Sequence, residues 1–180
     1  MSESDADAFV TGWLGASLTA ALAAREAIRE VAYRYARGVD RLDADVMRSA
    51  YWPDATDEHG RFSGNGWEFV DRVMSTHGRW RATMHCNMNH SIEFDVGGMT
   101  ARGEISNLTY LIPDDDGPWS LWLGRYLDRY ERRGDEWRII HRVCVHEGTT
   151  TLPSAPMPMD PSVFRQGSVD RPSDGRPLGT

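Results

Sequence analysis

Hydrophobic residues recur first with helical spacing and then, after about Arg81, with the alternation typical of strands. The first apolar set repeats at three- and four-residue intervals along one helix face from about Ser17: Ile28, Val31, Ala32, Tyr35 and Val39. Gly38 is expected to end this helix. A short second helix is expected between a capping Asp43 and Pro53, and a third over "GWEFVDRVMSTHGRW". The turn-rich "DATDEHGRFSGNG" predicts a short strand pair between them.

Four long strands are predicted in the second half of the chain, separated by turns rich in Gly and Asp. They are "ATMHCNMNHSIEFDV", "TARGEISNLTYLIP", "WSLWLGRYLDRYERR" and "WRIIHRVCVHEGTT". Three helices followed by such strands favour an α+β domain whose antiparallel sheet buries one face against the helices. We therefore predict an N-terminal arm over residues 1–16, an α+β domain over 17–150 and a tail over 151–180. The tail holds six of the nine prolines.

Composition narrows the functional classes. A chain of 180 residues fits one domain, and a net charge of −7 without a basic run argues against a nucleic-acid partner. The two cysteines lack metal-site spacing, so we expect no metal site. "AFVTGWLGASLTAALAA" follows acidic residues and contains Thr, Ser and Gly, so we expect neither a signal peptide nor a membrane segment. This composition suits the cytoplasm.

The segment "TMHCNMNHSIEFD" holds two histidines, which strict alternation would place on opposite faces of a strand. His85 would share one face with Asn89, and His90 would lie on the other with Met88 and Ile92. The face carrying His85 is polar, which fits either solvent or the wall of a polar pocket.

Asp40 and Arg142 occupy positions that need an explanation. Asp40 lies at the C-terminal end of the first helix, where the helix dipole disfavours a carboxylate. Arg142 lies in the middle of a hydrophobic strand, so it needs a partner if it is buried and none if that face is exposed. An Asp facing a His would fix the imidazole tautomer and make it a general base. Asp40 and His85 are the candidates for such a pair.

These segments resemble the SnoaL-like branch of the nuclear-transport-factor-2-like superfamily, which are cone-shaped α+β barrels. The likeness is carried by "YRYARGVDRLDADVMRSAYWPDA", "TMHCNMNHSIEFD" and "GRYLDRYERRGDEWRIIHR", in that order. Within the superfamily it is nearest to cofactor-free lyases of the dehydrochlorinase and dehydratase type. The resemblance implies catalytic roles for Asp40, His85, Arg142 and Tyr35, with Asn89 beside the histidine and His90 in a structural role.

The resemblance also implies a reaction class. A base at His85 would remove a proton while water, halide or a small carbonyl fragment leaves, as in a dehydration, dehydrohalogenation or deformylation. The substrate would be a hydrophobic, aromatic small molecule. His77 and His146 are further candidates for residues of its pocket. The main substrate contacts expected are Asn89, Trp52, Tyr51, Trp80 and Met84. Two alternatives stay open: a cyclase or ketosteroid-type isomerase, and a non-catalytic β-type subunit of a ring-hydroxylating dioxygenase.

Assembly can also be predicted. Ile139, Val143 and Val145 would be exposed on a lone cone, and exposed apolar patches usually mark interfaces. We therefore expect a homo-oligomer, with a trimer favoured because the dehydratase-like relatives form trimers.

Overall fold

The computed structural model describes residues 18–154 together with Asp160 and Val163. The expected arm over residues 1–16 and most of the proline-rich tail lie outside the described residues. Two helices precede a pair of shorter strands, a third helix follows that pair, and four long strands come last. The helices are α1 (Leu18–Arg41), α2 (Ala44–Arg48) and α3 (Gly66–His77). The strands are β1 (Tyr51–His59), β2 (Phe62–Asn65), β3 (Trp80–Phe94), β4 (Thr100–Pro113), β5 (Trp119–Arg133) and β6 (Glu136–Leu152).

Helix α1 buries the predicted apolar face, which confirms the helical spacing read from the sequence. The predicted end at Gly38 is wrong, since the helix continues to Arg41. Gly38 serves close packing instead, because a Cβ there would lie 2.5 Å from the backbone nitrogen of Met47 in α2. Leu42, with φ of 52°, turns the chain, and Asp43 caps α2 by accepting a hydrogen bond from the backbone N–H of Val46 at 3.0 Å.

The six strands form one curved sheet in the order β2-β1-β6-β5-β4-β3. The α+β class and the cone-shaped architecture are confirmed. The sheet is antiparallel except that β1 runs parallel to β6, where an all-antiparallel sheet was expected. This pairing carries the end of β1 beside the middle of β6, so Asp57 and His59 become cross-strand neighbours of Arg142 and Cys144.

Two β-bulges overturn the strict alternation predicted for β3 and β6. In β3 the pairing with β4 shifts between Asn87 and His90, so two residues of β3 oppose Ser106 alone. His90 is therefore the cross-strand neighbour of the buried Ile105 and lies on the inner face, like His85. The prediction that His90 faces away from the core side is wrong, because a bulge reverses every face that follows it.

One of the bulges in β6 lies between Ile139 and His141, where its pairing with β5 shifts. Ile139 before it and Arg142 after it both face inward and are fully buried. Ile139 is thus a core residue, and its predicted place on an exposed apolar face is wrong. Val143 and Val145 remain on the outer face and are half-buried.

Helix α1 packs along the edge strand β3 and is fastened to it by side-chain hydrogen bonds. The Arg25 guanidinium donates to the Ile92 carbonyl at 3.0 Å, and the Asn87 amide donates to the Ala32 carbonyl at 3.0 Å. These contacts hold the last turn of α1, which carries Asp40, against the middle of β3.

Candidate active site

Asp40 and His85 are in direct contact. Oδ1 of Asp40 lies 2.6 Å from Nδ1 of His85, and the two side chains are 13% and 8% exposed. The aspartate comes from the last turn of α1 and the histidine from the first half of β3. The structure therefore brings together the pair proposed from the sequence.

The position of Asp40 near a helix C-terminus is offset by hydrogen bonds from β3. Oδ1 also accepts from the Thr83 hydroxyl at 2.8 Å, and Oδ2 accepts from the backbone N–H of His85 at 2.9 Å. Three donors therefore converge on one carboxylate. They fix the orientation of the carboxylate, and an Nδ1–H of His85 donated to Oδ1 would leave Nε2 as the unprotonated nitrogen of a neutral imidazole.

His85 lines a small cavity of about 130 Å³. The cavity wall combines three histidines with aromatic, aliphatic and hydroxyl side chains: His59, His77, His85, Thr109, Leu111, Trp122 and Tyr126. They come from β1, the end of α3, β3, β4 and β5. The Trp122 and Tyr126 rings stack with centroids 6.4 Å apart and 20° between their planes. A largely apolar cavity with a few polar groups is the usual form of a small-molecule site.

A larger concavity of about 530 Å³ lies on the outer face of the sheet. Charged side chains such as Glu93, Arg102 and Glu104 line it, and neither Asp40 nor His85 does. The small cavity is therefore the candidate active site, because it contains the oriented histidine.

Arg142 is fully buried and paired, but it stands behind the cavity instead of in its wall. Its Nε and Nη2 each donate to the Asp128 carboxylate at 2.7 Å. The guanidinium lies 4.1 Å and 4.2 Å from the ring centroids of Tyr35 and Tyr126. Burial opposes its charge, but Asp128 outweighs that effect and raises the pKa of Arg142 above its usual value. The expected direct contact of Arg142 with a leaving group is revised accordingly.

Tyr35 and Tyr51 are likewise core residues behind the cavity. Tyr35 packs edge-on against His85, with ring centroids 6.5 Å apart, and against Tyr126 at 5.5 Å. Burial raises the pKa of Tyr35, with Arg142 acting in the opposite direction, so its phenol keeps its proton. Tyr51 donates its hydroxyl hydrogen to Oδ2 of Asp57 at 2.6 Å.

Four other predicted contacts lie away from the cavity wall. Asn89 falls in the β3 bulge and is exposed, and Met84 is on the outer face with 57% exposure. Trp52 donates its indole N–H to the Glu131 carbonyl, and two guanidinium groups each lie 4.8 Å from its ring centroid. Trp80 is at the start of β3, with the Arg79 guanidinium 5.2 Å from its ring. Asn89 lies away from the cavity because of the bulge, and Met84 because alternation places it on the outer face. Trp52 lies away from the cavity because it packs among charged side chains.

The two further pocket candidates, His77 and His146, differ from each other. His77 lines the cavity, and burial lowers its pKa to about 4, so it is neutral at physiological pH. His146 is exposed at the rim, where its ring lies 5.9 Å from that of Trp122. Cys144, beside Tyr126 on the neighbouring strand, is a protonated thiol because burial raises its pKa to about 12.

Sequence reasoning missed Asp128, Tyr126, Asp57 and His59. The first two could have been found, since Tyr126, Asp128 and Tyr130 alternate along one face of "GRYLDRYERR" and place an acid among aromatic residues. Asp57 and His59 lie in a segment whose polar composition is typical of a turn. Only the parallel pairing with β6 shows that they face the core.

Comparison with known proteins identifies the class. The SnoaL-like domain family matches residues 20–143, so the chain belongs to the SnoaL-like family, as the sequence motifs indicated. No curated protein sequence matches the chain. Among the described residues, no helix is long and apolar enough to cross a membrane, and no group of three His, Cys, Asp or Glu side chains is arranged as metal ligands.

Solved structures show the same fold. A type 2 hexachlorocyclohexane dehydrochlorinase is 24% identical, with a TM-score of 0.68, covering 77% of this chain and 97% of that one. The type 3 enzyme from Novosphingobium barchaimii is 24% identical, with a TM-score of 0.66 and coverages of 76% and 97%. A candidate scytalone dehydratase from Novosphingobium aromaticivorans is 19% identical, with a TM-score of 0.65 and coverages of 77% and 96%.

Proposed function

We propose that this protein is a cofactor-independent lyase in which His85, oriented by Asp40, is the general base. The observation that carries the proposal is the 2.6 Å contact between Asp40 Oδ1 and His85 Nδ1 at the wall of an aromatic cavity. A structural histidine does not require a carboxylate that is itself held by Thr83 and by backbone. The arrangement is the one that a base needs to keep one tautomer and to stabilise the imidazolium formed when it takes a proton.

The reaction begins with proton removal at a carbon or a hydroxyl of the substrate. Nε2 of His85 takes the proton, and the positive charge that forms on the imidazole is stabilised by Asp40. The electron pair released by the substrate then expels water, a halide or a small carbonyl fragment. Arg142, paired with Asp128, supports the Tyr35 and Tyr126 rings from behind and so fixes the wall that faces the substrate.

The substrate class follows from the cavity. Its wall includes the Trp122 and Tyr126 rings and Leu111, which favour an apolar and aromatic small molecule. The names of the dehydrochlorinase and dehydratase structures agree with a lyase, as do the SnoaL-like motifs. A non-catalytic subunit of a dioxygenase has no use for a largely buried Asp–His pair, and an isomerase or cyclase would use the same base but release no fragment.

Assembly and location belong to the same proposal. Met84 and Met88 are 57% and 55% exposed, on the side of β3 that faces away from α1. They provide an apolar surface for association of copies, and we retain the trimer as the proposed assembly. The cytoplasm is the proposed compartment, because the chain is acidic and poor in cysteine.

The dyad can be tested by substitution. His85→Ala removes the base, and Asp40→Asn keeps the size of the side chain while removing the charge that stabilises the imidazolium. Each change should lower turnover on the order of 10²–10⁴-fold, and the double variant should lose little more than either single one, since the pair acts as a unit. Turnover is measured as product release from each member of a panel of aromatic alcohols, diols and halides.

His141→Ala is the matched control. His141 lies on the outer face, where its Nδ1 is 2.7 Å from the Thr56 hydroxyl. Its removal should leave turnover within about threefold of the unsubstituted protein, well below the range expected for loss of a general base. Full turnover by His85→Ala on any substrate of the panel would rule out the proposed mechanism.

A further inference from the structure

A second histidine–carboxylate pair faces the same cavity. His59, at the end of β1, lines the cavity, and its Nδ1 lies 3.3 Å from Oδ1 of Asp57. Asp57 is fully buried. Both of these atoms are buried, and neither has a hydrogen-bond partner. His59 Nδ1 and Asp57 Oδ1 are therefore the natural hydrogen-bonding partners of each other.

One carboxylate oxygen of Asp57 lacks a hydrogen-bond partner. Asp57 and Asp128, both buried, lie beside one guanidinium, that of Arg142. Arg142 donates two hydrogen bonds to Asp128, while Asp57 accepts one hydrogen bond, from the Tyr51 hydroxyl to Oδ2. An N–H at Nδ1 of His59, 3.3 Å away, would give Oδ1 of Asp57 a donor, since buried polar groups are stable only when they are paired.

The imidazole of His59 is held in a fixed orientation. Its ring stacks on Phe69 with centroids 4.5 Å apart and 19° between the planes. With Nδ1 turned toward Asp57, Nε2 is the nitrogen left for the cavity. The side chain is 26% exposed, so a substrate in the cavity can reach it.

The three cavity histidines thus have different surroundings. Nδ1 of His85 is in contact with Asp40. Burial, with His85, Arg79 and His59 acting in the same direction, lowers the pKa of His77 to about 4, which leaves it neutral at physiological pH. His59 combines access to the cavity with a buried carboxylate whose Oδ1 has no hydrogen-bond partner.

We infer that His59, positioned by Asp57, is the acid that protonates the leaving group, and that the leaving group is therefore a hydroxyl. This inference rests on the proposed lyase function and deepens it, because it selects dehydration among the reactions considered. A hydroxyl departs readily only when it takes up a proton, whereas chloride departs as a stable anion and needs none.

The proton and electron balance closes without another reactant. His85 takes the proton from carbon, and the electron pair of that C–H bond becomes the new carbon–carbon π bond. The C–O bond breaks, and the departing oxygen takes the proton of His59 and leaves as water. His85 is then protonated and His59 neutral, and transfer of one proton from His85 to His59 through solvent restores the starting state.

A matched pair of probes tests this assignment. 3-Hydroxy-1-phenylpropan-1-one and 3-chloro-1-phenylpropan-1-one share one carbon skeleton and give the same enone, so they differ only in the need for an acid. His59→Gln, which keeps a polar side chain but cannot act as an acid, should lower elimination from the hydroxy probe by about 10²–10³-fold. It should lower elimination from the chloro probe by less than about tenfold. Asp57→Asn should show the same selectivity if Asp57 positions the donor.

The outcomes separate this inference from the lyase proposal. Equal losses on both probes in a His59→Gln protein with an unchanged circular dichroism spectrum would overturn the acid role and leave the lyase standing. If His59→Gln fails to fold, His59→Asn is tested in its place by the same criterion. A His85→Ala protein that eliminates both probes as fast as the unsubstituted protein, or an unsubstituted protein that eliminates neither, would overturn both. His141→Gln, on the outer face, should change neither rate.

Discussion

Asp128→Asn should destabilise the protein strongly, because Asp128 is the partner of a fully buried guanidinium, that of Arg142. The Arg142 and Asp128 side chains are both 0% exposed, and two hydrogen bonds of 2.7 Å join them. Asparagine retains the shape and one acceptor but not the charge. Arg142 cannot escape by losing its proton, since a guanidinium stays charged in proteins.

The expected loss follows from the cost of leaving one buried charge without its partner. That cost is about 3–5 kcal/mol. Asp57, the cross-strand neighbour of Arg142, still supplies a negative charge nearby, which favours the lower end of the range. A loss of about 3 kcal/mol would lower the melting temperature by about 6–12 °C in a domain of this size.

The free energy of unfolding should be measured by urea titration, followed through tryptophan fluorescence. Glu104→Gln is the control, because Glu104 pairs with Arg125 at 3.0 Å but both side chains are at least one-third exposed. It should change the free energy of unfolding by less than about 1 kcal/mol. Adding Arg142→Met to Asp128→Asn should cost less than the sum of the two single changes, because the second change removes the unpaired charge. An Asp128→Asn protein within about 1 kcal/mol of the unsubstituted one would refute the reasoning.

Two further predictions concern cavity shape and pH. Gly124→Ala should lower turnover and should lower the free energy of unfolding by about 1–3 kcal/mol, because its Cβ would collide with the Trp122 ring in the cavity wall. Gly148→Ala is the control and should change neither quantity, because a Cβ there meets open space. Urea titration measures the stability, and the elimination assay measures turnover. Burial lowers the pKa of His77 and of His90 to about 4, so the unfolded chain binds more protons below pH 6.5. Stability should therefore be greatest above pH 6.5 and fall as the pH drops toward 4, and His90→Gln should reduce that fall; a melting temperature independent of pH over this window would contradict it.

The elements that depend on local pattern could be predicted from the sequence. The apolar spacing of α1 and the turns between the long strands are local signals, and the structure follows them. Asp40 could also be singled out, because its position near a helix C-terminus is unfavourable without outside partners. Its contact with His85 supplies those partners.

The features that depend on pairing between distant strands could not be predicted. The bulges near Asn89 and Ile140 arise from the register of β3 on β4 and of β6 on β5, and neither leaves a glycine or proline at the bulge as a signal. For the same reason His90 and Ile139 were assigned to the wrong faces. His59 was missed because a polar β1 becomes an inward-facing strand only through its parallel pairing with β6.

The attachment of α1 to β3 has a consequence for solubility. β3 is an edge strand of the sheet, and an unprotected edge strand can pair with the edge strand of another molecule. Asp40 occupies the outward backbone N–H of His85, and Arg25 occupies the outward carbonyl of Ile92, so two of the groups that a foreign strand would need are already engaged. Asp40, which fixes the His85 imidazole, thus also protects part of this edge. Loss of Asp40 would release the imidazole and expose the backbone N–H of His85 in the same step.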